Sequence, residues 1–323
     1  MPVCPVCRNI AYLSRWTLTD AEAISERPFR VAICEQCGLH VTLPLLTDTA
    51  LRPWYHGNYH GVPGLEKYRL GNIASQAFMV IRLRLIRSFL NTAMTAVDYG
   101  AGAGQFVKAL NQFGVRAFGI ENDKFQDLPK SGDPVRGTVF PSFNKITQYG
   151  ITPDIVTLWH VIEHLAEPHK ELRSIHAALA PGGTVIISTP NIDSGQAVIT
   201  GPNWYHLDPP RHRWHFSPKH LQRLMRDAGF EILDIRFFDL EFALFGWWQS
   251  LLNCIHFSSG FPLHYIKRGR CRFGDAYGYA KLVDTLTSFL AGGFLLPVSL
   301  CFTLVETSCS RGGSMMLIGR KTT

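Results

Sequence analysis

The stretch TAVDYGAGAG, residues 95–104, decides the fold of this chain, because an apolar strand pattern runs directly into three glycines at alternate positions. The residues that follow, 105–112, have the pattern of a helix. Glycine at positions Gly100, Gly102 and Gly104 lets a backbone approach a ligand closely, and the first turn of a helix offers unpaired N–H groups. The segment therefore predicts a strand, a tight turn and a helix that together bind a nucleotide-like cofactor.

The spacing of the glycines narrows the type of cofactor. A dinucleotide fingerprint carries its third glycine at the sixth position of the turn, where this chain has Gln105. Glu121 closes the next apolar run, residues 115–120. A carboxylate at the end of a second strand can accept both hydroxyls of a ribose, so the pattern indicates adenosine binding without choosing the cofactor.

Later segments continue the alternation of strands and turns. An apolar run at 154–159 leads into Glu163-His164-Leu165, and Pro181-Gly182-Gly183 precedes the run 184–188. With these motifs in this order, the chain resembles the class I S-adenosylmethionine-dependent methyltransferases of the small-molecule branch. The resemblance covers roughly residues 65–240 and implies an α/β fold with a Rossmann-like seven-stranded sheet.

The resemblance, together with the positions of residues after strand ends, predicts the cofactor site. Asp98 and the glycines would shape the methionine end, Glu121 would hold the ribose and Asn122 would lie near the adenine edge. The predicted cofactor-binding residues are Asp98, Gly100, Gly102, Gly104, Glu121, Asn122, Trp159 and His160.

His160, Glu163 and His164 are expected on one helix start. Metal-dependent relatives carry Glu at the position of His160, so a divalent ion held by two imidazoles and a carboxylate is one interpretation. In the other, Glu163 caps and orients while His164 packs inside.

The residues 204–216 form the densest polar and aromatic stretch of the chain. Methyl transfer needs a deprotonated nucleophile, and histidine suits proton removal near neutral pH. His212 and His215 match an Arg-His-x-x-His-Phe-Ser pattern of the relatives. The predicted catalytic residues are His212, His215, His206 and His160; alternatively, the histidines of this loop serve to order the helix that begins after Ser217.

Two Cys-x-x-Cys turns lie near the N-terminus. Their cysteines, the candidate metal ligands, are Cys4, Cys7, Cys34 and Cys37. Such a turn presents two thiolates on one side of a loop, and two turns supply the four sulfurs of a structural zinc site. The segment between them can hold a hairpin of 12–14 with 29–33, which predicts a zinc ribbon. A redox pair or unrelated thiols remain the alternative.

Composition places the chain among globular proteins, with 46% hydrophobic and 18% charged residues. The net charge of +7 is scattered rather than gathered in a basic stripe, so nucleic acid is not an expected partner. The expected domains are a zinc ribbon at 1–44, a connector and capping helix at 45–92, a core at 93–240, an apolar helical insertion at 241–313 and a closing strand at 314–323.

The insertion contains two apolar blocks, residues 242–252 and 286–305, the second broken by Gly292-Gly293 and Pro297. Three interpretations stay open: a helical subdomain packed on the core or a partner, a helix pair lying on a membrane surface, and a spanning helix. In the second, Trp247, Trp248 and a basic cluster at 267–272 would lie near lipid headgroups. The N-terminus has no basic segment followed by an apolar one, so the expected location is the cytoplasm, with membrane association through 241–305 left open.

The expected function is transfer of a methyl group from S-adenosylmethionine to a small-molecule acceptor. A sugar, a polysaccharide or a lipid-linked precursor is the first choice of acceptor. One rival is a methyltransferase that acts on RNA or protein through the zinc ribbon. The other is a non-enzymatic module that binds zinc and a nucleotide.

Overall fold

The computed structural model describes residues 2–18, 20, 25, 27–55, 69–121, 138–237, 240–255 and 279–322. Its strands, in chain order, are β1 (Tyr12–Leu18), β2 (Phe29–Cys34), β3 (His40–Leu43), β4 (Thr95–Tyr99), β5 (Arg116–Ile120), β6 (Val139–Phe140), β7 (Ile155–Trp159), β8 (Thr184–Pro190), β9 (Trp214–His215), β10 (Phe230–Arg236) and β11 (Ser314–Lys321). Its α-helices are α1 (Asp48–Leu51), α2 (Arg69–Ile86), α3 (Gln105–Gln112), α4 (Phe143–Gln148), α5 (Pro168–Ala178), α6 (Gly195–Thr200), α7 (Pro218–Asp227), α8 (Leu240–Cys254) and α9 (Tyr279–Ser308).

The chain forms two compact units, each assembled from separated segments. The first unit consists of Met1–Gly71, Pro190–Pro218 and Arg236–Met315. The second consists of Asn72–Thr189, Lys219–Ile235 and Met316–Thr323. The segments of the two units therefore alternate along the chain.

A seven-stranded sheet organises the second unit, in the order β10-β11-β8-β7-β4-β5-β6. Strands β4, β5, β6, β7 and β8 pair in parallel. The end of β11 meets the starts of two neighbouring strands, because Lys321 N donates to Gly183 O and Thr322 N donates to Gly229 O. Strand β11 thus runs antiparallel to β8 and β10, and the expected seven-stranded sheet with a closing strand is confirmed.

Buried apolar side chains hold the sheet to its helices. Helix α3 presents Phe106, Val107 and Leu110 to a core that also contains Ala117 of β5 and Ile186 of β8. Each fully buried side chain of this size contributes about 2 kcal/mol. The i, i+1, i+4 spacing in α3 is the apolar stripe of a helix that packs on a sheet, and its bounds agree with the sequence pattern.

Helix α7 has a buried apolar face and a solvent-exposed charged face. Its buried residues include Leu221, Leu224 and Met225, whereas Arg223 and Arg226 are exposed. The helix begins at Pro218, directly after Ser217, as the sequence predicts. This is the ordinary amphipathic arrangement, with the apolar face inside and charge outside.

A four-stranded sheet in the order β1-β2-β3-β9 lies in the first unit. The expected hairpin is present, with Tyr12 opposite Cys34 and Ser14 opposite Ala32. Strand β9 adds to the edge of β3, where His40 pairs with His215. This four-stranded sheet, which we call the ribbon sheet, therefore includes two residues from far along the chain, in addition to the predicted segment 1–44. We call residues 1–44 the ribbon.

The helices α8 and α9 form an antiparallel hairpin in the first unit. Trp248 Nε1 donates to Gly292 O at 2.8 Å, and Trp247 Nε1 donates to Glu306 Oε2 at 2.7 Å. The start of α8 lies toward the end of α9, since Gln196 Nε2 donates both to Ala243 O and to Glu306. Both indole N–H groups are thus engaged within the hairpin, whereas the basic cluster 267–272 lies outside the described residues.

Candidate functional site

The glycine turn after β4 has the conformation that only glycine adopts easily. Gly100, Gly102 and Gly104 have φ values of 79°, 53° and 73°, in the left-handed region. The turn is fastened to the end of β5, because the N–H groups of Gly100 and Ala101 both donate to Ile120 O, at 2.8 and 3.0 Å. The loop is therefore attached at the carboxyl edge of the sheet.

Steric contacts give the glycines a second role. A Cβ added at Gly100 would lie 2.4 Å from Val161 Cγ2, and one added at Gly119 would lie 2.7 Å from Ala101 Cβ. Any side chain at these positions would push the loop away from β5 or from the segment after β7. The close approach holds the ends of three neighbouring strands together.

Glu121 follows the end of β5 and is buried, with 7% exposure. Its Oε2 accepts a hydrogen bond from Gly102 N at 2.7 Å. A buried carboxylate is costly unless hydrogen-bonded, so this bond fixes both the carboxylate and the glycine loop. The predicted ribose ligand and the predicted cofactor loop are thus in direct contact.

Asp98 lies beneath the loop on β4, buried at 4% exposure. Its Oδ1 accepts a hydrogen bond from Thr157 Oγ1 of β7 at 2.7 Å. Burial raises the pKa of Asp98 to about 7, and the negative charge of Glu121 adds to the rise, while the Thr157 bond and Arg82 oppose it. The carboxyl group therefore titrates near neutral pH.

The segment after β7 differs from the sequence expectation. His160 has a φ of 54°, a strained value for a residue with a side chain, and only Ile162–His164 form a short 3₁₀ turn. The expected placement of His160, Glu163 and His164 on one helix start is wrong, because the positive φ at His160 separates it from the turn.

The carboxylate of Glu163 lies between His160 and Thr189. Its Oε1 lies 3.5 Å from His160 Nδ1, and its Oε2 accepts from Thr189 Oγ1 at 2.9 Å. His160 Nε2 lies 3.4 Å from Ser188 Oγ. These contacts orient the Glu163 carboxylate, while the ligand atoms of Glu163 and His164 lie within 4.8 Å of each other, as a shared divalent ion would require.

Trp159 ends β7 and bears a buried polar atom. Its ring contacts Phe106 at 5.5 Å between centroids, and the Arg82 guanidinium lies 5.3 Å from the ring. Among the residues that the structure describes, its Nε1 has no hydrogen-bond partner. A buried N–H without a partner costs free energy, so it marks a position where a ligand acceptor would be stabilising.

These observations test whether the site fits an adenosyl cofactor. The edge offers a glycine turn with left-handed backbone, a carboxylate fixed at the end of the second strand, and an indole N–H that has no partner among the described residues. The chain thus brings together the predicted Asp98, Gly100, Gly102, Gly104, Glu121, Trp159 and His160, and they fit such a group. Asn122 lies outside the described residues.

The other three predicted catalytic histidines belong to the first unit, and all three are buried. His206 Nε2 lies 3.0 Å from Phe242 O, so it donates there. His215 Nε2 lies 2.9 Å from Thr42 Oγ1, within the ribbon sheet. These bonds support the alternative in which the loop serves to order structure, at least for His206 and His215.

His212 has a different environment. Its Nδ1 lies 2.7 Å from His206 O, and because a carbonyl oxygen only accepts, Nδ1 must be the donor. In the neutral ring this leaves Nε2 as the basic nitrogen, 3.7 Å from Asp208 Oδ2. Asp208 is also held by two hydrogen bonds from Arg211. The sequence did not single out Asp208, although its position four residues before His212 could have suggested the pair.

Arg213 fixes the same loop to the segment after the ribbon. Its Nη2 donates to Leu46 O at 2.8 Å and to Asp48 Oδ1 at 2.7 Å. The arginine was not predicted as a functional residue, and no short-range pattern in the sequence links positions 48 and 213. The loop that carries the three histidines is therefore anchored on both sides.

The Sγ atoms of the four ribbon cysteines lie within 4.8 Å of one another. The sulfurs of Cys4 and Cys37 are 3.6 Å apart, and those of Cys7 and Cys34 are 3.4 Å apart. Both turns have the same hydrogen bonds: Arg8 N donates to Cys4 O at 3.0 Å, and Gly38 N donates to Cys34 O at 2.8 Å. The two Cys-x-x-Cys turns are therefore conformational repeats that present their sulfurs to one point.

Comparison with known proteins shows that the chain is similar to methyltransferases. Residues 73–235 match a family model described as a methyltransferase domain. The chain is 27% identical over 153 residues to the ubiquinone biosynthesis O-methyltransferase of Pseudomonas paraeruginosa, which covers 44% of this chain and 66% of that protein. It is 26% identical over 152 residues to the mitochondrial protein of the same name from Arabidopsis thaliana, covering 43% of this chain and 47% of that protein. The chain thus spans less than two thirds of the length of either relative.

Among solved structures, a SAM dependent methyltransferase from Archaeoglobus fulgidus is similar with a TM-score of 0.45 and 17% identity. The alignment covers 80% of this chain and 98% of that one.

Proposed function

Because this chain belongs to the methyltransferase-domain family through residues 73–235, we propose that it transfers a methyl group from S-adenosylmethionine to a small-molecule acceptor. The observation that carries the proposal is the bond between Glu121 Oε2 and Gly102 N, at 2.7 Å. It joins an acid suited to a ribose with a loop suited to the rest of the cofactor. Both lie at the carboxyl ends of parallel strands, where α/β proteins bind ligands.

The residues of this edge divide the work of binding. The glycine turn gives the cofactor room, and the first turn of α3 gives it backbone N–H groups. Glu121 accepts the ribose hydroxyls, and Trp159 Nε1 donates to an acceptor on the ligand. When bound, S-adenosylmethionine supplies a methyl carbon on a sulfonium; the nucleophile bonds to that carbon as the carbon–sulfur bond breaks, leaving S-adenosylhomocysteine. The protein must orient the nucleophile in line and take up its proton.

His212 is the proposed base. Its Nδ1–H is committed to His206 O, which leaves Nε2 to accept the proton of the acceptor hydroxyl. Asp208, 3.7 Å from that nitrogen, would stabilise the imidazolium that results. His206, His215 and His160 remain candidates from the sequence, but the first two already bond to Phe242 O and Thr42 within the first unit.

The four cysteines are the proposed ligands of a structural zinc ion. Tetrahedral zinc with bonds of about 2.3 Å requires sulfurs about 3.8 Å apart, close to the 3.4 and 3.6 Å separations in the ribbon. Four thiolates fill the coordination sphere, so the ion would stabilise the ribbon without taking part in catalysis.

The proposed acceptor is a small molecule methylated on oxygen. The relatives named as ubiquinone biosynthesis O-methyltransferases support an oxygen nucleophile on a small acceptor. Within that class, a sugar, a polysaccharide or a lipid-linked precursor remains the proposal made from the sequence. An assay that measures formation of S-adenosylhomocysteine would also detect methyl transfer to RNA or protein through the ribbon, because it reports transfer to any acceptor.

Titration of the purified chain with S-adenosylmethionine tests the cofactor site. Glu121→Gln keeps an oxygen that can accept from Gly102 N but removes the charge that the ribose hydroxyls meet, so affinity should fall at least about tenfold. Glu167→Gln is the matched control, because Glu167 is exposed and pairs only loosely with Lys170 at 3.2 Å. Equal affinity in both variants would refute the assignment of the site.

The base is tested separately by turnover. His212→Gln should slow methyl transfer at least about tenfold and should leave affinity for S-adenosylmethionine unchanged. Undiminished turnover in this variant would exclude His212 from the reaction.

A further inference from the structure

Two helices of the first unit, α6 and α9, have their polar and apolar faces reversed, and they pack with α8 around a polar interior. Buried positions of α6, α8 and α9 include Gln196, Ser250, Ser299, Thr303 and Glu306. Exposed positions of α6 and α9 are large and apolar, and we call them the apolar surface: Ile199, Leu290, Phe294, Leu300, Leu304 and Val305. Phe294 is 74% exposed and Leu290 is 73% exposed. In water this arrangement loses the stabilisation that the same side chains would gain by facing inward.

The buried polar groups are satisfied by one another and by their own helices. Glu306 accepts from Gln196 N at 2.8 Å and from Trp247 Nε1 at 2.7 Å. Ser299 Oγ donates to Leu295 O at 2.7 Å, and Thr303 Oγ1 donates to Ser299 O at 2.8 Å. A hydroxyl bonded to its own helix needs no water, which suits a helix in an apolar medium. These bonds satisfy Glu306, Ser299 and Thr303, whereas Gln249 Oε1 of α8 is buried without a partner among the described residues.

The reversal is local to these helices. Helix α7 buries Leu221, Leu224 and Met225 and exposes Arg223 and Arg226. The same chain thus builds an ordinary amphipathic helix where it meets water. The reversed faces of α6 and α9 indicate that their surroundings are apolar.

The width of the apolar face favours lipid over a single protein partner. Viewed down the axis of α9, at about 100° per residue, the exposed apolar side chains occupy an arc of roughly 240°. Leu296 lies at one edge of this arc and Phe302 at the other. The buried positions 299, 303 and 306 lie in the remaining narrow stripe. A docking protein covers one face of a helix, whereas acyl chains surround all of it that is not packed.

Helix length limits how the hairpin meets a bilayer. Among the described residues, one segment, Leu290–Ser308, is long and apolar enough to cross a membrane, and 22% of it is buried. Its antiparallel partner α8 has 15 residues, about 22 Å, which is shorter than the roughly 30 Å of a hydrocarbon core. Because α8 is too short to cross the hydrocarbon core, we expect the α8–α9 hairpin to lie in one leaflet and not to span the bilayer.

In the sequence, basic residues occur on both sides of the apolar segment 285–305, which suits an anionic surface. The sequence between α8 and α9 contains Lys267, Arg268, Arg270 and Arg272, and Arg311 is exposed just after α9. No Asp, Glu, Lys or Arg occurs from 285 to 305. Cations flanking an uncharged apolar segment are the pattern of a segment held at anionic headgroups.

We propose that the apolar surface inserts into one leaflet of an anionic phospholipid bilayer and so holds the protein on a membrane. The proposal is independent of methyl transfer, because its tests need neither cofactor nor acceptor. The reversed faces carry it, and the flanking cations set the preference for anionic lipid.

Flotation of the full chain with vesicles tests the insertion. The chain should float with phosphatidylcholine vesicles that contain phosphatidylglycerol. Phe294→Glu should lower the partition coefficient at least about tenfold, since it replaces an inserted ring by a charge. Leu13→Glu is the matched control, because Leu13 is 62% exposed on β1, outside the apolar surface. Failure of the wild-type chain to float, or equal flotation of Phe294→Glu, would overturn the proposal.

Replacement of the four cations at 267, 268, 270 and 272 by Gln separates the two contributions. This variant should lose the preference for phosphatidylglycerol and keep its binding to phosphatidylcholine alone. A variant that kept the full preference would remove the electrostatic part of the proposal.

A second measurement avoids substitution altogether. Cys301 is exposed and lies at the centre of the apolar arc, so vesicles should slow its alkylation several-fold, with each cysteine resolved by peptide mass spectrometry. An unchanged alkylation rate at Cys301 in bound protein would contradict insertion. If the surface instead joined two copies of this chain, Cys301 would be protected in a concentration-dependent manner without vesicles, which would likewise refute it.

Discussion

The buried carboxyl group of Asp98 should make the stability of the protein depend on pH near neutrality. Asp98 is 4% exposed and bonds to Thr157 Oγ1 at 2.7 Å. Burial, opposed by the Thr157 bond and by Arg82 and reinforced by Glu121, raises the pKa of Asp98 from its ordinary value of 3.8 to about 7. The folded state therefore holds this proton more tightly than the unfolded state does.

The sign and size of the effect follow from linkage. A raised pKa contributes stability that is fully present below pH 3.8 and is lost as the pH rises through about 7. One pKa unit corresponds to about 1.4 kcal/mol, so the whole shift is worth about 4 kcal/mol. Between pH 5.5 and 8, the fall in the free energy of unfolding due to Asp98 is about 2 kcal/mol.

Denaturant unfolding of the wild-type chain and of Asp98→Asn, measured without cofactor at several pH values, tests this. Asparagine keeps an oxygen that can accept from Thr157 but has no proton to lose, so the stability of the variant relative to wild type should rise by about 2 kcal/mol from pH 5.5 to 8. Thr157→Val, which removes a bond that lowers the pKa of Asp98, should move the wild-type transition to higher pH. Parallel curves for wild type and Asp98→Asn would refute the reasoning.

Two further predictions concern the glycine turn and the ribbon. Gly100→Ala should destabilise the second unit more than Gly150→Ala, because both have positive φ but only the first would place a Cβ 2.4 Å from Val161 Cγ2. Denaturant unfolding should show that Val161→Ala recovers this difference, and lack of recovery would exclude the clash. The chain as purified should contain one zinc ion by elemental analysis, lost in Cys37→Ser but kept in Cys309→Ser, whose thiol is exposed outside the cluster. Equal zinc in both variants would reject the cysteine site.

The strands and helices around the cofactor edge could be predicted because their signals are local. Residues 95–104 encode the strand end and the turn, and helix α3 has the bounds 105–112 that its pattern indicates. Glu121 could be placed because parallel strands end at the same edge. Its bond to Gly102, by contrast, depends on how far the turn folds over β5, which no spacing in the sequence specifies.

Features built from distant segments could not be predicted. Strand β9 is two residues long and pairs His215 with His40, so neither periodicity nor composition signals it. The same pairing removes much of the freedom that a catalytic role for His215 would need. The strained φ of 54° at His160 was equally hidden, because local pattern favoured continuing the helix, and tertiary contacts with Ser188 and Glu163 override that preference.

The apolar insertion shows the limit of composition most clearly. Its sequence is compatible with a buried subdomain, a surface helix or a spanning helix, since all three need apolar residues at helical spacing. What separates them is which side of each helix faces inward. The structure turns Thr303 and Glu306 inward and Phe294 and Leu304 outward, and a helix that satisfies its polar groups internally while exposing its apolar ones is unfavourable in water. That orientation, rather than the hydropathy of the segment, is the argument for a lipid environment.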